Sequence, residues 1–271
     1  MADTKLSALK TRVKTACVLA LILSLVIYIG ETAIFYFICL VSILAQWEFL
    51  TLFFKHEKTR YKIFYCFLGT FYILSIHYYP EIPLIFYIGL VGLISTFISL
   101  KNFNHDTAQE NMKTASILML SFIYLPFIFG FMTNFTLSQQ LLVALIPIAS
   151  DTVAYFVGIN YGKHKIWPTV SPKKSVEGCA AGLIAAIIVL LIFAYQYHIV
   201  YASFFTLVFF GAILGILAQL GDFFESALKR TVDIKDSGFI LPGHGGVLDR
   251  TDSLIFTIAG FELFTLLLNA L

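Results

Sequence analysis

The sequence predicts an all-α, polytopic integral membrane protein with about nine transmembrane helices and a polar cavity that opens to the cytoplasm. Two observations predict this fold class. Hydrophobic residues make up 59% of the chain and its mean hydropathy is +0.87, which excludes an ordinary soluble domain. The apolar residues also fall into long stretches separated by polar segments. Inside a bilayer such stretches satisfy their backbone hydrogen bonds as helices.

The apolar stretches give the order of the predicted helices. Most are close to the ~20 residues that a helix needs to cross the hydrocarbon core. They cover residues 13–29, 33–54, 62–79, 82–100, 114–133, 139–160, 177–196, 199–221 and 252–270. About five lie in an N-terminal transmembrane region, 1–135, and the others in a C-terminal region, 136–271, with two polar inner loops at 161–176 and 222–251.

The placement of positive charge predicts the orientation. The net charge is only +2, but all 18 Lys and Arg residues lie at the N-terminus or in alternate loops, within 5–14, 55–62, 101–113, 163–174 and 229–250. The intervening loops, around Glu31, Glu81, Asn134 and His198, contain none. The positive-inside rule therefore predicts a cytoplasmic N-terminus and an external C-terminus. A basic start before an apolar run also occurs in cleaved signal peptides, but no small-residue cleavage site precedes Glu31, which favours a retained helix.

The stretch 226–252, SALKRTVDIKDSGFILPGHGGVLDRTD, concentrates charge and glycine in a mostly apolar chain. Basic side chains bind phosphate oxygens, carboxylates bind metal ions, and glycine lets backbone N–H groups approach a ligand closely. The stretch therefore predicts a nucleotide site at the membrane surface. The candidates are Lys229, Arg230, Lys235 and Arg250 for phosphate, Asp249 and Asp252 for a metal ion, and Gly243, Gly245 and Gly246 for close approach. His244 is suited equally to a proton carrier or phosphate donor and to a structural turn.

Carboxylates near the ends of the apolar stretches form a second group of candidates, because an ionisable group at bilayer depth needs a partner or a water-filled cavity. Asp222 and Ser226 have i,i+4 spacing and Asp249 and Asp252 have i,i+3 spacing, so each pair shares a helix face. Together they form a hard-oxygen set suited to Mg2+. The alternative is that Asp249 and Asp252 form ordinary salt bridges with Arg250, Lys229 or Arg230. Further acids toward the predicted inner side are Asp151, Glu177 and Glu225, while Glu48 and Glu262 are less clearly placed.

The other polar loop contains SPKKSVEG at 171–178. Ser175 is predicted to cap the following helix, which places Lys173 and Lys174 near a helix N-terminus, where anions bind. The alternative is that both lysines only set the topology and contact lipid headgroups. Gly158 and Gly162, just upstream, are suited to close helix packing.

The stretch 226–252 resembles the signature of the phosphatidate cytidylyltransferases, also called CDP-diacylglycerol synthases. The signature has a Ser, then Lys-Arg, Lys-Asp, Pro-x-His-Gly-Gly and a final Asp-Arg-x-Asp. Every fixed element is present, as Ser226, Lys229, Arg230, Lys235, Asp236, Pro242, His244, Gly245, Gly246, Asp249, Arg250 and Asp252. The upstream segments DTVAYFVGINYGKH and SPKKSVEG are also similar to the family, whose usual form has Thr in place of Ser175. These motifs cover only the C-terminal half of the chain.

The resemblance implies that region 136–271 is catalytic and that its polar cavity is an active site, where CTP and phosphatidate give CDP-diacylglycerol and pyrophosphate. It implies Mg2+, with K+ as a companion cation, bound by Asp222, Ser226, Asp249 and Asp252. Lys229 and Arg230 join these as catalytic residues, and the substrates would contact Lys173, Lys174, Ser175, Lys235, His244, Gly245, Gly246 and Arg250. The implied partners are CTP, phosphatidate, membrane lipid and a second copy in a homodimer, with no nucleic acid. The implied location is a bacterial inner membrane.

Two other functions fit parts of the pattern. A CTP-dependent polyprenol or lipid kinase would share a polytopic fold and cytosolic nucleotide loops. An ion-coupled transporter would use Asp151, Asp222 and Glu262 as an ion path. The acids cluster at one face instead of the midplane and the sequence shows no inverted repeat, which disfavours the transporter.

Overall fold

The computed structural model describes residues 2–54, 58–101, 103–197 and 202–270, with side chains described from residue 10 to residue 268. Each predicted apolar stretch is helical within these residues, and the described ranges contain no β-strand. The all-α membrane fold is therefore confirmed. Part of the basic group at 55–62 and the loop around His198 lie outside the described residues, as does the side chain of Lys5.

The helices follow the predicted order. They are α1 (Ala2–Ile29), α2 (Glu31–Phe53), α3 (Thr59–Tyr78), α4 (Leu84–Lys101), α5 (Ala108–Phe122), α6 (Ile128–Phe131), α7 (Leu137–Tyr161), α8 (Val176–Tyr197), α9 (Phe204–Thr231) and α10 (Leu248–Ala270). A π-helical turn, Ile123–Phe127, joins α5 to α6. Pro126 lies in this turn and has no backbone N–H to donate, which accounts for the widened hydrogen bonding there.

Eight helical segments in the described residues are long and apolar enough to cross a membrane, with the continuous run Ala108–Asn134 as one of them. The other predicted span corresponds to α3. This helix has 20 residues, but it contains Arg60, Lys62 and His77 near its ends, and it is not among the eight. The polytopic character is therefore established, while the count of nine spans stays a prediction that depends on α3.

The chain forms two compact units. The first consists of Met1–Asn134 and Asp236–Asp249, so the glycine-rich segment belongs to the N-terminal helices. Its core contains fully buried aromatic residues, including Phe49, Tyr65 and Tyr72. The hydroxyl groups of Tyr65 and Ser95 lie 2.6 Å apart and form a hydrogen bond in this interior. The predicted division of function near residue 135 stays a prediction.

The second unit consists of Phe135–Lys235 and Arg250–Leu271. Its α7 begins with a capping box, in which Thr136 and Gln139 bond each other's backbone N–H groups. Glycines bring its helices together, because a Cβ at Gly178 of α8 would lie 3.2 Å from the Gly158 Cα of α7. The interpretation of Gly158 as a helix-packing residue is confirmed.

The second polar segment, 222–251, is predicted as a loop, but both of its ends are helical. Helix α9 continues to Thr231 and α10 starts at Leu248. Lys229 and Arg230 occupy the last turn of α9, where cations interact favourably with the helix dipole and the exposed carbonyl groups. Four of the predicted site residues, Asp222, Ser226, Lys229 and Arg230, are therefore held on a rigid helix.

Close packing of α8 against α9 gives a test of this architecture. A Cβ at Gly211 would lie 2.8 Å from the Ile187 Cα, whereas a Cβ at Gly89 of α4 would meet nothing within 4 Å. We expect Gly211→Ala to lower the free energy of unfolding by about 1–3 kcal/mol, because backbone must shift. The matched Gly89→Ala change should be neutral within about 0.5 kcal/mol or stabilising, since alanine favours helix. Denaturant unfolding in detergent measures both, and equal stabilities of the two variants would contradict the described α8–α9 contact.

Candidate functional site

A cavity of about 770 Å3 lies in the second unit. Residues of α7, α8, α9 and the loop that precedes α8 form its wall. Its polar lining includes Asp151, Lys165, Lys173, Lys174, Gln219 and Asp222. A cavity with several cations and two carboxylates is suited to an anionic ligand, and it contains predicted site residues from both polar segments.

The loop before α8 is fixed at both ends. Ser175 is 2% exposed, and its Oγ accepts a hydrogen bond of 3.2 Å from the Gly178 N–H, which confirms its predicted capping role. Glu177, in the first turn, accepts hydrogen bonds from the backbone N–H groups of Lys163 and His164 and lies 2.6 Å from the His164 Nδ1. These contacts hold the basic loop against the start of α8. Lys173 is exposed, and its carbonyl accepts a bond of 3.3 Å from Lys165 Nζ.

Lys174 and Asp222 form the central ion pair of the cavity. The Lys174 Nζ lies 2.6 Å from the Asp222 Oδ2 and 4.5 Å from the centroid of the Phe223 ring. The other carboxylate oxygen of Asp222 accepts a hydrogen bond of 3.2 Å from the Ser226 Oγ. The predicted i,i+4 pairing of Asp222 with Ser226 is therefore confirmed. The loop before α8, called the lysine loop below, supplies the counter-charge of Asp222 through Lys174.

Gly221 brings α9 against the start of α10. A Cβ at Gly221 would lie 3.0 Å from the Ser253 Cα, so only glycine allows this approach. The contact places the start of α10, which carries Asp252, beside Asp222, and Asp151 lines the same cavity as Asp222. Three carboxylates of the second unit are thus neighbours on three helices.

Two of the predicted phosphate ligands have partners of their own. Lys229 forms an i,i+4 ion pair with Glu225, whose side chain is fully buried. The Arg230 Nη1 donates a hydrogen bond of 3.1 Å to the Ile234 carbonyl at the exposed end of α9. Lys235 and Arg250 are both exposed. The partner of Lys229 is thus Glu225, an acid that the sequence did not assign to it.

The glycine-rich segment belongs to the first unit. Gly243 and Gly245 have φ angles of 75° and 85°, in the left-handed region that favours glycine. Within this turn the Leu241 N–H donates to the Gly245 carbonyl at 2.9 Å, and the His244 N–H donates to the Leu241 carbonyl at 2.8 Å. Thr15 of α1 holds the turn from outside by donating to the Pro242 carbonyl at 2.8 Å.

Asp249 closes this segment. Its Oδ2 accepts hydrogen bonds from the backbone N–H groups of Ser237 at 2.9 Å and Gly246 at 2.8 Å. A Cβ at Gly245 would lie 2.6 Å from the same oxygen. The glycines therefore allow a close approach, but the group that approaches here is the Asp249 carboxylate, and the predicted approach to a ligand stays a prediction.

The hard-oxygen side chains offer a small set of metal ligands. Nowhere in the described ranges do three His, Cys, Asp or Glu side chains form a group that could hold a metal ion by itself. Asp222, Ser226 and Asp252 nevertheless bring two carboxylates and a hydroxyl to one region of the second unit. Such a set fits Mg2+, which usually takes one or two carboxylates and completes its shell with water and substrate phosphates.

Glu48 is a residue of the first unit that the sequence left without a role. Its side chain is buried, at 4% exposure, near the C-terminal end of the apolar α2. The Oε2 atom accepts hydrogen bonds from the Leu248 N–H at 2.8 Å and the Ser237 hydroxyl at 3.3 Å. A carboxylate inside an apolar stretch was the available signal, but its partners lie 200 and 189 residues further along the chain.

Comparisons with known proteins show a family and several relatives of this chain. Residues 10–268 match the model of the cytidylyltransferase family. A phosphatidate cytidylyltransferase of Thermotoga maritima is 33% identical over 264 residues, which cover 92% of this chain and 93% of that protein. A protein of the same name in Bacillus subtilis is 49% identical over 112 residues, covering 41% of this chain and 40% of that protein. Another in Staphylococcus aureus strain COL is 40% identical over 144 residues, covering 52% of this chain and 55% of that protein.

Proposed function

The chain belongs to the cytidylyltransferase family, and on that premise we propose that it transfers CMP from CTP to phosphatidate, giving CDP-diacylglycerol and pyrophosphate. The observation that supports these substrates most strongly is the near full-length similarity to the phosphatidate cytidylyltransferase of Thermotoga maritima. The cationic cavity, with Lys173 and Lys174 at its wall, is suited to the phosphates of both substrates.

The proposed reaction makes specific physical demands. A phosphate oxygen of phosphatidate attacks the α-phosphorus of CTP, and the bond from that phosphorus to the bridging oxygen of the β-phosphate breaks. Phosphatidate is already anionic, so the attack needs little help from a general base. The main cost is the approach of two anions and the charge on the departing pyrophosphate. Cations fixed around the cavity, above all Lys173 and Lys174, lower this cost.

We propose Mg2+ as the metal, with Asp222, Ser226, Asp249 and Asp252 as its protein ligands and K+ as a companion cation. The oxygen donors of Asp222, Ser226 and Asp252 support this choice. When bound, Mg2+ would neutralise phosphate charge and polarise the phosphorus centre. Asp222 and Ser226 would orient the ion from one face of α9, and Lys174 would remain beside them to bind a phosphate oxygen. Lys229, Arg230, Lys235, Arg250, His244, Gly245 and Gly246 complete the proposed set of catalytic and substrate-binding residues.

We also propose a bacterial inner-membrane location with a cytoplasmic N-terminus, and a homodimer whose mass in detergent can be measured. Phosphatidate resides in the leaflet and CTP in the cytosol, so a cavity for both must open at the inner face. The one-sided placement of Lys and Arg supports this orientation.

Transfer of the α-phosphate tests the reaction. Incubation of purified protein with phosphatidate, Mg2+ and CTP labelled at the α-phosphate should give labelled lipid, because CMP carries that phosphorus. CTP labelled only at the γ-phosphate should label pyrophosphate and leave the lipid unlabelled. Lipid labelled from the γ position alone would refute cytidylyl transfer and identify a lipid kinase.

Removal of single carboxylates tests the metal ligands. We expect Asp222→Asn and Asp252→Asn each to lower kcat at least about 100-fold, because each loses a charged metal ligand. Glu110→Gln is a suitable control, since Glu110 is an exposed acid paired with Lys58 at 3.1 Å. The kcat of this variant should stay within about twofold of the wild-type value, because a surface ion pair contributes little. Full CDP-diacylglycerol synthesis by the Asp252→Asn variant would refute its role as a ligand.

Cysteine labelling tests the orientation. In a background with Cys17, Cys39, Cys66 and Cys179 changed to Ser, we expect Asn134→Cys to react with an impermeant maleimide in intact spheroplasts. Lys14→Cys should react only after permeabilisation, because it belongs to the basic N-terminal group. Both side chains are exposed. The opposite pattern would reverse the proposed topology.

A further inference from the structure

Glu48 contacts the glycine-rich segment at four residues. Its Oε2 binds the Leu248 N–H and the Ser237 hydroxyl, as described above. The side chain also packs directly against two glycines, since a Cβ at Gly238 or Gly246 would lie 2.8 Å or 2.7 Å from the Glu48 Cδ. The segment therefore passes over the carboxylate at a distance that only glycine permits.

The same residues connect Glu48 with Asp249. Ser237 donates its hydroxyl hydrogen to Glu48 and its backbone N–H to Asp249. Gly246 lies against the Glu48 carboxylate and donates its N–H to Asp249. Leu248, which Glu48 binds directly, is the first residue of α10 and the neighbour of Asp249. Three short connections thus run from Glu48 to the Asp249 backbone and carboxylate.

Burial makes this arrangement specific. A carboxylate at 4% exposure on an apolar helix is costly unless hydrogen bonds compensate it, and an apolar residue would fill the same space at lower cost. Within the described residues the Glu48 Oε1 makes no hydrogen bond, so both of its bonds use Oε2. Residues 237–248 therefore depend on one acceptor atom, the Glu48 Oε2.

We propose that Glu48 is a positioning residue that anchors residues 237–248 from α2 and so fixes the Asp249 carboxylate for the reaction. It acts through Ser237, Gly246 and Leu248, and it does not touch the substrates. The proposal rests on the proposed function, in which Asp249 is a metal ligand. The same contacts assign Ser237, which precedes the glycine-rich turn, as the link that joins both carboxylates.

Three substitutions at Glu48 separate the acceptor atom from the charge. Glu48→Gln retains an oxygen acceptor without charge, Glu48→Asp retains the charge but shortens the reach by one methylene, and Glu48→Ala removes both. We expect Glu48→Asp and Glu48→Ala to lower kcat at least about tenfold, because a misplaced or missing acceptor leaves buried donors unsatisfied. The kcat of Glu48→Gln should stay within about fivefold of the wild-type value, because its acceptor is retained. The KM for phosphatidate should change little, since the basic residues of the cavity are untouched.

Hydrogen exchange of the wild type and variants gives a readout that does not depend on turnover. Amides of 237–248 should exchange at least about tenfold faster in Glu48→Asp and Glu48→Ala, because the anchor that restricts their opening is lost. Gln46→Ala is the matched control: Gln46 is a polar residue of α2 with 1% exposure, and it packs against Gly69 of α3 instead. It should leave exchange in 237–248 and kcat unchanged.

The outcomes distinguish the two proposals. If the wild type makes no CDP-diacylglycerol, the proposed function fails, while the exchange experiment still decides whether Glu48 anchors the segment. If Glu48→Ala does not fold, the Gln and Asp variants decide. Unchanged exchange in Glu48→Asp, or a Gln variant as impaired as the Asp variant, would overturn the positioning role.

Discussion

The whole arrangement depends on one constraint, the cost of charge in an apolar chain. Each ionised side chain at depth needs an opposite charge or hydrogen-bond donors, and the described structure provides them in different ways. Asp222 has Lys174, Glu225 has Lys229, and Glu48 has the N–H of Leu248 and the hydroxyl of Ser237. Because each of these three acids has a specific partner, each also fixes the segment that supplies the partner. Compensation of buried charge thus shapes the lysine loop, the end of α9 and the glycine-rich segment.

Glycine makes this compensation possible, since partners must approach within hydrogen-bonding distance. Gly221 allows α10 to reach α9 beside Asp222, and Gly246 allows its segment to lie on Glu48 while its own N–H binds Asp249. In both places a side chain would collide with backbone or with a buried carboxylate. The glycines near the charged residues therefore serve electrostatics as much as helix packing, because they set the distance between charge and partner.

The sequence was informative wherever a feature depends on local chemistry. Apolar length predicts the helices, i,i+4 spacing predicts the contact of Asp222 with Ser226, and a Ser before an apolar run predicts the cap at Ser175. Features that depend on long-range packing could not be predicted. Lys174 meets Asp222 across 48 residues and Glu48 meets Leu248 across 200, separations for which spacing gives no rule. The continuation of α9 beyond Ser226 to Thr231 was also missed, because the polar composition there resembles a loop. The i,i+4 pair of Glu225 and Lys229 nevertheless supports a helix.

The pair of Lys174 and Asp222 explains how a charged cavity can exist before its ligands arrive. At 2.6 Å the two groups neutralise each other, so neither stands as an isolated charge in an apolar surround. Under the proposed function, a metal ion would bind Asp222 and a phosphate oxygen would bind Lys174. The metal ion would then replace Lys174 as the counter-charge of Asp222, and the phosphate would replace Asp222 as the counter-charge of Lys174. Both buried charges would thus stay compensated. Binding one ligand alone would leave either the lysine or the carboxylate without its counter-charge, which favours binding of nucleotide and metal together over either alone.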